Sequence, residues 1–397
     1  VRPLIGRERE LARLDALLAD GGALMLRGPR GVGISALIDA AAARAAARGI
    51  RVLRAAGVEW ESGFPYAGLH QLLRPLRLEG VLQQDPAEVA RTLQGIDAFV
   101  CVDDLQWIDD ETRAAITAFR TLLLGGHEAG PPDVEELAVD PLEPGAAARL
   151  LAPDLPLLVR ERVLREAAGL PLALVELPAA YEHADDGELL GSWAPLTPAL
   201  EEAFAAAEPN LLAALDDGDT PLSELERAAA RRAADPAARR AGHEQLAAAF
   251  ATTDPDRATW HRAAAASGLD ATLAAGLEAV AWREHDYERA AAGLRRAALL
   301  TPPGPARSRR FVAAALLAEE IGGVEIAERL LDEVAPAELD ALGRARWAVL
   351  RARGTDALLA ADPALEPRLL WRAATELAVA GGDGAALANG AGDPALR

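Results

Sequence analysis

Lysine is absent from this 397-residue chain, so all 41 basic side chains that complement its 61 aspartates and glutamates are arginines. That bias, together with abundant alanine, glycine and proline, fits GC-rich coding. The net charge is −20, and such a chain repels nucleic acid unless it hides a basic patch. The arginines are scattered among acidic residues and form no basic stripe. Cysteine occurs once, at Cys101, which excludes an internal disulfide and fits a reducing cytoplasm. Aromatic residues make up only 4%, and alanine fills much of the apolar fraction. Alanine has the best helix propensity, so a mostly helical chain is expected. No uncharged apolar run reaches the roughly 18 residues of a membrane span. The opening Val1-Arg2-Pro3 has none of the features of a secretory signal. Hydrophobic content of 51% and a mean hydropathy of +0.06 suit a folded chain long enough for two or three domains.

What is present is a glycine-rich turn, Arg27-Gly28-Pro29-Arg30-Gly31-Val32-Gly33-Ile34-Ser35, between the apolar run Ala23–Leu26 and the helical run that begins at Ala36. Strand, glycine turn, helix is the setting of a phosphate-binding loop, G-x-x-x-x-G-K-[ST]. Gly28 and Gly33 have the required spacing and Ser35 holds the Ser/Thr place. The glycines let the backbone turn its N–H groups toward a phosphate, and the helix N-terminus adds about half a positive charge. Ile34 occupies the lysine place, so the side chain that reaches the β- and γ-phosphates is missing. The chain reads as a nucleotide-binding fold with a damaged catalytic site.

Before the loop, Leu11, Leu14, Leu17 and Leu18 mark one face of a helix ended by Gly21-Gly22. After it, a helix to about Gly49 and a strand at Arg51–Ala55 complete the start of a parallel α/β sheet. Phe99-Val100-Cys101-Val102 reads as a buried strand. It runs into Asp103-Asp104, the form of a Walker B element. There one carboxylate, Asp103, holds Mg²⁺ with Ser35, and the second, Asp104, orients a water. The bland alternative is a helix N-cap. Asp109-Asp110 reads as a cap for a helix near Glu111. Leu122–Leu124 and Val134–Val139 are the remaining strand candidates.

Gly6-Arg7-Glu8, the loop at Gly28, Glu61 with Gly68–Leu73, Asp103–Trp107, and Gly169-Leu170-Pro171-Leu172-Ala173-Leu174 occur in order. Together they resemble the large ATP-binding regulators of the LuxR family, the MalT-like STAND branch of the AAA+ ATPases. The resemblance implies that Gly6, Arg7 and Glu8 lie near the adenine and that Pro171 caps the nucleotide from a helical subdomain. It also implies an arginine that senses the γ-phosphate after the strand at Leu122–Leu124. His127 stands in that place, a second departure beside Ile34. The resulting expectation is ATP or ADP bound weakly or not at all, with Mg²⁺ undecided and Asp104 a relic of catalysis. The cofactor-binding set is Gly6, Arg7, Glu8, Gly28, Pro29, Arg30, Gly31, Val32, Gly33, Ile34, Ser35, His127 and Pro171. Arg27 or Arg30 substituting for the lysine is the competing reading.

Beyond Leu174 an acidic stretch, Glu182–Gly191, reads as a solvated linker, and Thr197-Pro198 opens a helical or winged-helix module. From His243 onward helix follows helix. Tyr287, Ala290, Ala297 and Pro302, repeated weakly with Ala327, have tetratricopeptide-like spacing. The expected architecture is an α/β P-loop (AAA+/STAND) domain with a parallel sheet at residues 1–145 and a helical lid at 146–190. A winged-helix or helical linker at 191–242 follows, then an all-α, tetratricopeptide-like solenoid at 243–380 and a tail at 381–397. The histidines show no metal spacing, Cys101 reads as a buried hydrophobe, and Trp107, Trp260, Trp282 and Trp347 read as core anchors. No basic recognition helix follows the repeats, so DNA contact would need a domain outside this chain. The reading is a signal-sensing transcription regulator or its sensor half, cytoplasmic, with an effector or protein partner on the solenoid and self-association left open. The alternatives are an active ATPase switch and the regulatory part of an adenylate cyclase.

Overall fold

The computed structural model describes residues 4–83, 86–184, 190, 194–205, 210–216 and 222–352. The chain divides into two compact units, residues 1–153 with 163–176, and residues 154–162 with 177–397.

The first unit is built on five strands: β1 Gly22–Arg27, β2 Val52–Ala56, β3 Phe99–Asp103, β4 Thr121–Gly126 and β5 Glu135–Ala138. They pair in the order β2-β3-β4-β1-β5, every pair parallel. A parallel sheet needs helical crossovers and is covered on both faces, so its central strands are continuously apolar. Phe99, Val100, Cys101 and Val102 in β3 and Leu122, Leu123 and Leu124 in β4 are all buried. Helix α1, Glu8–Asp20, precedes β1, and α2, Ile34–Ala47, joins β1 to β2. Leu14 and Leu17 of α1 face the core, as their spacing predicts. Helices α3, Ala67–Leu73, and α4, Pro86–Gln94, lie between β2 and β3, and α5, Asp110–Ile116, between β3 and β4. Helix α6, Pro144–Leu150, follows β5.

This strand order puts the carboxyl ends of β3, β4 and β1 side by side. Ligands of open α/β sheets bind at that edge, because the loops leaving adjacent strands there open a crevice. The loop at Gly28, the acids at Asp103 and the turn at His127 leave those three neighbouring strands.

Helices α7, Leu157–Ala167, and α8, Pro171–Glu182, come next. The helical unit continues with α9 Pro198–Phe204, α10 Leu211–Leu215, α11 Glu224–Ala233, α12 Pro236–Phe250, α13 Pro255–Ala265, α14 Ala271–Ala281, α15 Tyr287–Leu300, α16 Pro305–Glu320, α17 Val324–Asp332 and α18 Ala341–Ala352. No strand occurs among its described residues. Successive helices from α12 onward pack on one another. Ala290, Ala297 and Ala327 are buried and let the pairs approach, the role that small residues have in helical repeats. Asp235, Asp254, Asp270 and Asp286 each accept a backbone N–H as N-cap, about 1 kcal/mol apiece. Trp282 and Tyr287 are more than half exposed, so Trp282 is not the core anchor its residue type suggests. His243 and His261 are buried and face each other, Nδ1 to Nδ1 at 3.1 Å, which makes them packing residues. The acidic linker lies largely outside the described residues, as do the repeats beyond 352 and the tail at 381–397.

Candidate nucleotide site

The loop has the backbone of an anion cradle. Gly31 and Gly33 adopt left-handed conformations, φ 77° and 99°, which side chains resist. Gly28 is required for a different reason: a Cβ there would lie 2.4 Å from the Val139 carbonyl oxygen. Val139 in turn donates its N–H to Arg27 O at 2.7 Å, so β5 presses directly on the loop. Helix α2 starts at once from Gly33 without a side-chain cap. Its first N–H groups have no partner within the helix, and a free helix N-terminus favours an anion.

The two carboxylates lie at the carboxyl end of β3. Asp103 ends β3 and accepts a hydrogen bond from the Ser35 hydroxyl. Burial pushes the Asp103 carboxyl above the ordinary carboxylate range, the Ser35 hydrogen bond opposes this, and the charge of Asp104 adds to it. A carboxylate paired with the first-turn hydroxyl, short of positive charge, is a donor set that suits Mg²⁺. Asp104 is left-handed, φ 49°, and accepts from Gln106 Nε2 at 2.8 Å.

Ile34 is 6% exposed. A Cβ placed on Gly125 would meet Ile34 Cγ2 at 2.5 Å, Ile38 Cδ1 at 2.7 Å and Asp103 Oδ1 at 3.3 Å. The side chain in the lysine place therefore points down onto β4, beside the Asp103 carboxylate, and closes an apolar seam between α2 and the sheet. Arg27 is exposed and occupied elsewhere, bonding Glu136 at 3.1 Å and His127 O at 3.4 Å. Arg30 lies exposed on the loop itself.

His127 directly follows β4. Its Nδ1 lies 2.9 Å from Gly28 O, and its backbone N–H points at Gln106 Oε1 at 3.4 Å. Gln106 thus bridges Asp104 and His127, linking the acids to the turn. The Asp103–Trp107 run contained this residue, but nothing in a single sequence distinguishes a bridging glutamine from a surface one.

Arg7 is 4% exposed and spends its guanidinium on carbonyls, NH1 to Asp140 O at 2.7 Å and NH2 to Val32 O at 2.7 Å. It is a strut from the loop to the end of β5. Gly6, φ 70°, packs so closely that a Cβ would lie 2.7 Å from Ala146 Cβ, while Glu8 is exposed in the first turn of α1. Pro171 starts α8 beside the loop. A Cβ on Gly33 would stand 3.8 Å from Pro171 Cγ, and Leu172 N–H donates to Gly31 O at 3.1 Å. The structure thus brings Arg7, Pro171, Asp103 and His127 to one loop, while Gly6 packs on Ala146 and Leu142 and Asp104 on Gln106.

Sequence reasoning undervalued Asp109. Its carboxylate caps α5 through Thr112 N–H and also accepts from Tyr66 N–H at 2.8 Å and Gly68 N–H at 3.0 Å. It anchors the segment after β2 to the acidic turn. Gly57 works at the other end of that segment, since a Cβ there would fall 2.2 Å from Asp104 O. A cleft of about 800 Å³ at the opposite edge of the sheet, lined by Gly21, Arg51, Phe99 and Arg120, shares no residue with the loop.

One protein family, described as an AAA ATPase domain, matches residues 3–98. No curated protein sequence matches the chain. Among solved structures, a STAND protein with a tetratricopeptide repeat sensor from Pyrococcus horikoshii aligns at 14% identity and a TM-score of 0.33, covering 100% of this chain and 78% of that one. AMPPCP-bound DnaA from Aquifex aeolicus aligns at 12% identity and a TM-score of 0.35, covering 75% of this chain and 95% of the other. Neither likeness carries functional weight at those values. The architecture is a P-loop α/β domain of AAA type with a five-stranded parallel sheet, followed by a mostly helical region.

Proposed function

We propose that the first unit binds a purine nucleotide, ATP or ADP, at the Gly28–Ser35 loop without hydrolysing ATP at a useful rate. The nucleotide site then serves as the conformational element of a signal-sensing regulator. The observation that carries this reading is Ile34, buried on β4 where a lysine would neutralise the β- and γ-phosphates. Electrostatic stabilisation of the transferring phosphoryl group is the main catalytic device of such sites. Removing one such contact typically costs on the order of a hundredfold or more in rate. The glycine backbone, the α2 N-terminus and the Ser35–Asp103 pair remain, and they support binding of a diphosphate with Mg²⁺ as an optional companion.

The order of sequence motifs supports a large regulator of the LuxR type. In that reading the helical repeats receive an effector or protein partner, and DNA is contacted through a domain outside this chain. The Ser35–Asp103 hydrogen bond favours the second reading, an active STAND-type ATPase switch. Calorimetry with ADP and ATP, paired with a phosphate-release assay, separates the two. The expected result is weak nucleotide binding and negligible turnover, with Ile34→Lys tightening ATP more than ADP. Robust turnover by the natural protein that stops in Asp104→Asn would establish the active enzyme and reject the first reading.

A further inference from the structure

The loop spends its carbonyls on the protein. Gly28 O lies 2.9 Å from His127 Nδ1, Pro29 O accepts the Val32 N–H at 3.2 Å, and Gly31 O accepts the Leu172 N–H at 3.1 Å. Gly33 O accepts the Leu37 N–H at 3.1 Å as α2 begins. Val32 O is held by a long side chain: Arg7 Nη2 donates to it at 2.7 Å, the shortest of these bonds. A peptide is planar and trans, so its C=O and N–H point in opposite directions. The bond on Val32 O therefore fixes the Val32–Gly33 peptide plane and turns the Gly33 N–H away from Arg7. That N–H makes no hydrogen bond among the described residues. Gly33 is the N-cap of α2, so the N–H adjoins the helix's first, unpaired donors.

Arg7 is itself fixed on the other side. Its Nη1 donates to Asp140 O at 2.7 Å, Glu10 Oε1 lies 3.5 Å away, and the residue is buried. The planar fork spans two carbonyls at once, which the single ammonium of a lysine does not reproduce. Asp140 follows Val139, whose N–H is on Arg27 O. The guanidinium thus ties the far end of the loop to the segment that braces its start. Resting on the reading that this loop binds a nucleotide, we infer that Arg7 is a positioning residue for the phosphates. By holding Val32 O it presents the Gly33 N–H as a donor to the anion, and it does not read the base. A donor oriented before the ligand arrives costs no ordering on binding. The Gly6-Arg7-Glu8 run, which the motif order places near an adenine, then serves the diphosphate instead.

The experiment compares ADP with inorganic pyrophosphate, which has the diphosphate and no base, by calorimetry on the whole chain. Arg7→Lys keeps a charge beside Glu10 and loses the fork. Glu10→Gln removes the ion pair and keeps the fork. Arg7→Lys is expected to weaken ADP and pyrophosphate by the same factor, about tenfold or more, the worth of a hydrogen bond to a charged group. Glu10→Gln should leave both affinities unchanged, whereas a loss arising from a loosened α1 would appear in both variants. A loss with ADP alone would make Arg7 a base contact and overturn the inference. Unchanged binding of both ligands in Arg7→Lys, an equal loss in Glu10→Gln, or ADP binding with no pyrophosphate binding would overturn it too. Where Arg7→Lys does not fold, hydrogen exchange in the natural protein decides. The peptide covering residues 30–36 should exchange more slowly with pyrophosphate present, and no slowing there would overturn the inference. In each of these outcomes ADP binding without turnover leaves the proposed function standing. A natural protein that binds neither ligand would reject that function and this inference together.

Discussion

At the scale of single residues, the absence of lysine makes one buried group readable. Burial pushes the Cys101 thiol up to about 12, with smaller contributions from neighbouring charges. An unfolded thiol titrates near 8.5. Between about pH 8.5 and 12 the unfolded chain has lost this proton and the native chain retains it, so stability falls as pH rises through that window. Lysines would usually mask this limb, but here only Cys101, three tyrosines, the chain terminus and the arginines titrate in the alkaline range. Urea midpoints measured from pH 8 to 11 should therefore decline, at up to about tenfold in the unfolding constant per pH unit from this thiol. Cys101→Ala should flatten the decline, and an unchanged slope would count against the buried-thiol assignment. The same burial predicts that the native thiol resists a thiol reagent at pH 8, reacting only as the chain unfolds.

At the scale of elements, small residues decide how closely helices approach. Gly293 lies inside α15, where replacing glycine by alanine ordinarily gains up to about 1 kcal/mol of helix propensity. A Cβ there would meet Trp260 Cη2 at 2.7 Å and Ala281 Cβ at 2.9 Å. The indole is itself held, with its Nε1–H on Glu284 at 3.3 Å and the Arg289 guanidinium 5.1 Å from the ring centroid. Overpacking costs about 1–3 kcal/mol, so Gly293→Ala is expected to be destabilising by roughly 1–2 kcal/mol, read as a lower denaturant midpoint. The loop gives the sharper case. Gly28→Ala would drive a methyl into the Val139 carbonyl, which is backbone and has no rotamer to yield. Nucleotide binding should be lost in that variant, and full retention of ADP affinity would contradict the described packing of β5 on the loop.

At the scale of the whole molecule, charge dominates. A net charge of −20 opposes condensation on a polyanion, because affinity for nucleic acid comes mainly from neutralised phosphates. The described arginines are spread over many ion pairs with acids, among them Arg13–Glu135, Arg44–Asp15, Arg162–Glu288 and Arg310–Glu278. Mobility-shift assays with duplex DNA at low salt should show no retardation by this chain. Tight, sequence-dependent binding would reject the proposal that DNA contact resides elsewhere. No described helix is long and apolar enough to cross a membrane.

The local pattern of residues determined the elements. Apolar runs at Ala23–Leu26 and Phe99–Val102 became β1 and β3, because a strand covered on both faces must be apolar throughout. Gly28, Gly31 and Gly33 specified the loop, because their turn excludes side chains. The replacement of lysine by Ile34 was visible at once, since it is a property of one position in a local motif. Only the tertiary structure decided what those residues touch. That Ile34 seals α2 onto β4, that Arg7 braces Val32 and Asp140 rather than standing free for a base, and that Gln106 joins Asp104 to His127 all depend on strand order. Strand order follows from long-range packing that no short window encodes. The partner of His127 Nδ1 is 99 residues away in sequence. The two meet only because β4 came to lie beside β1.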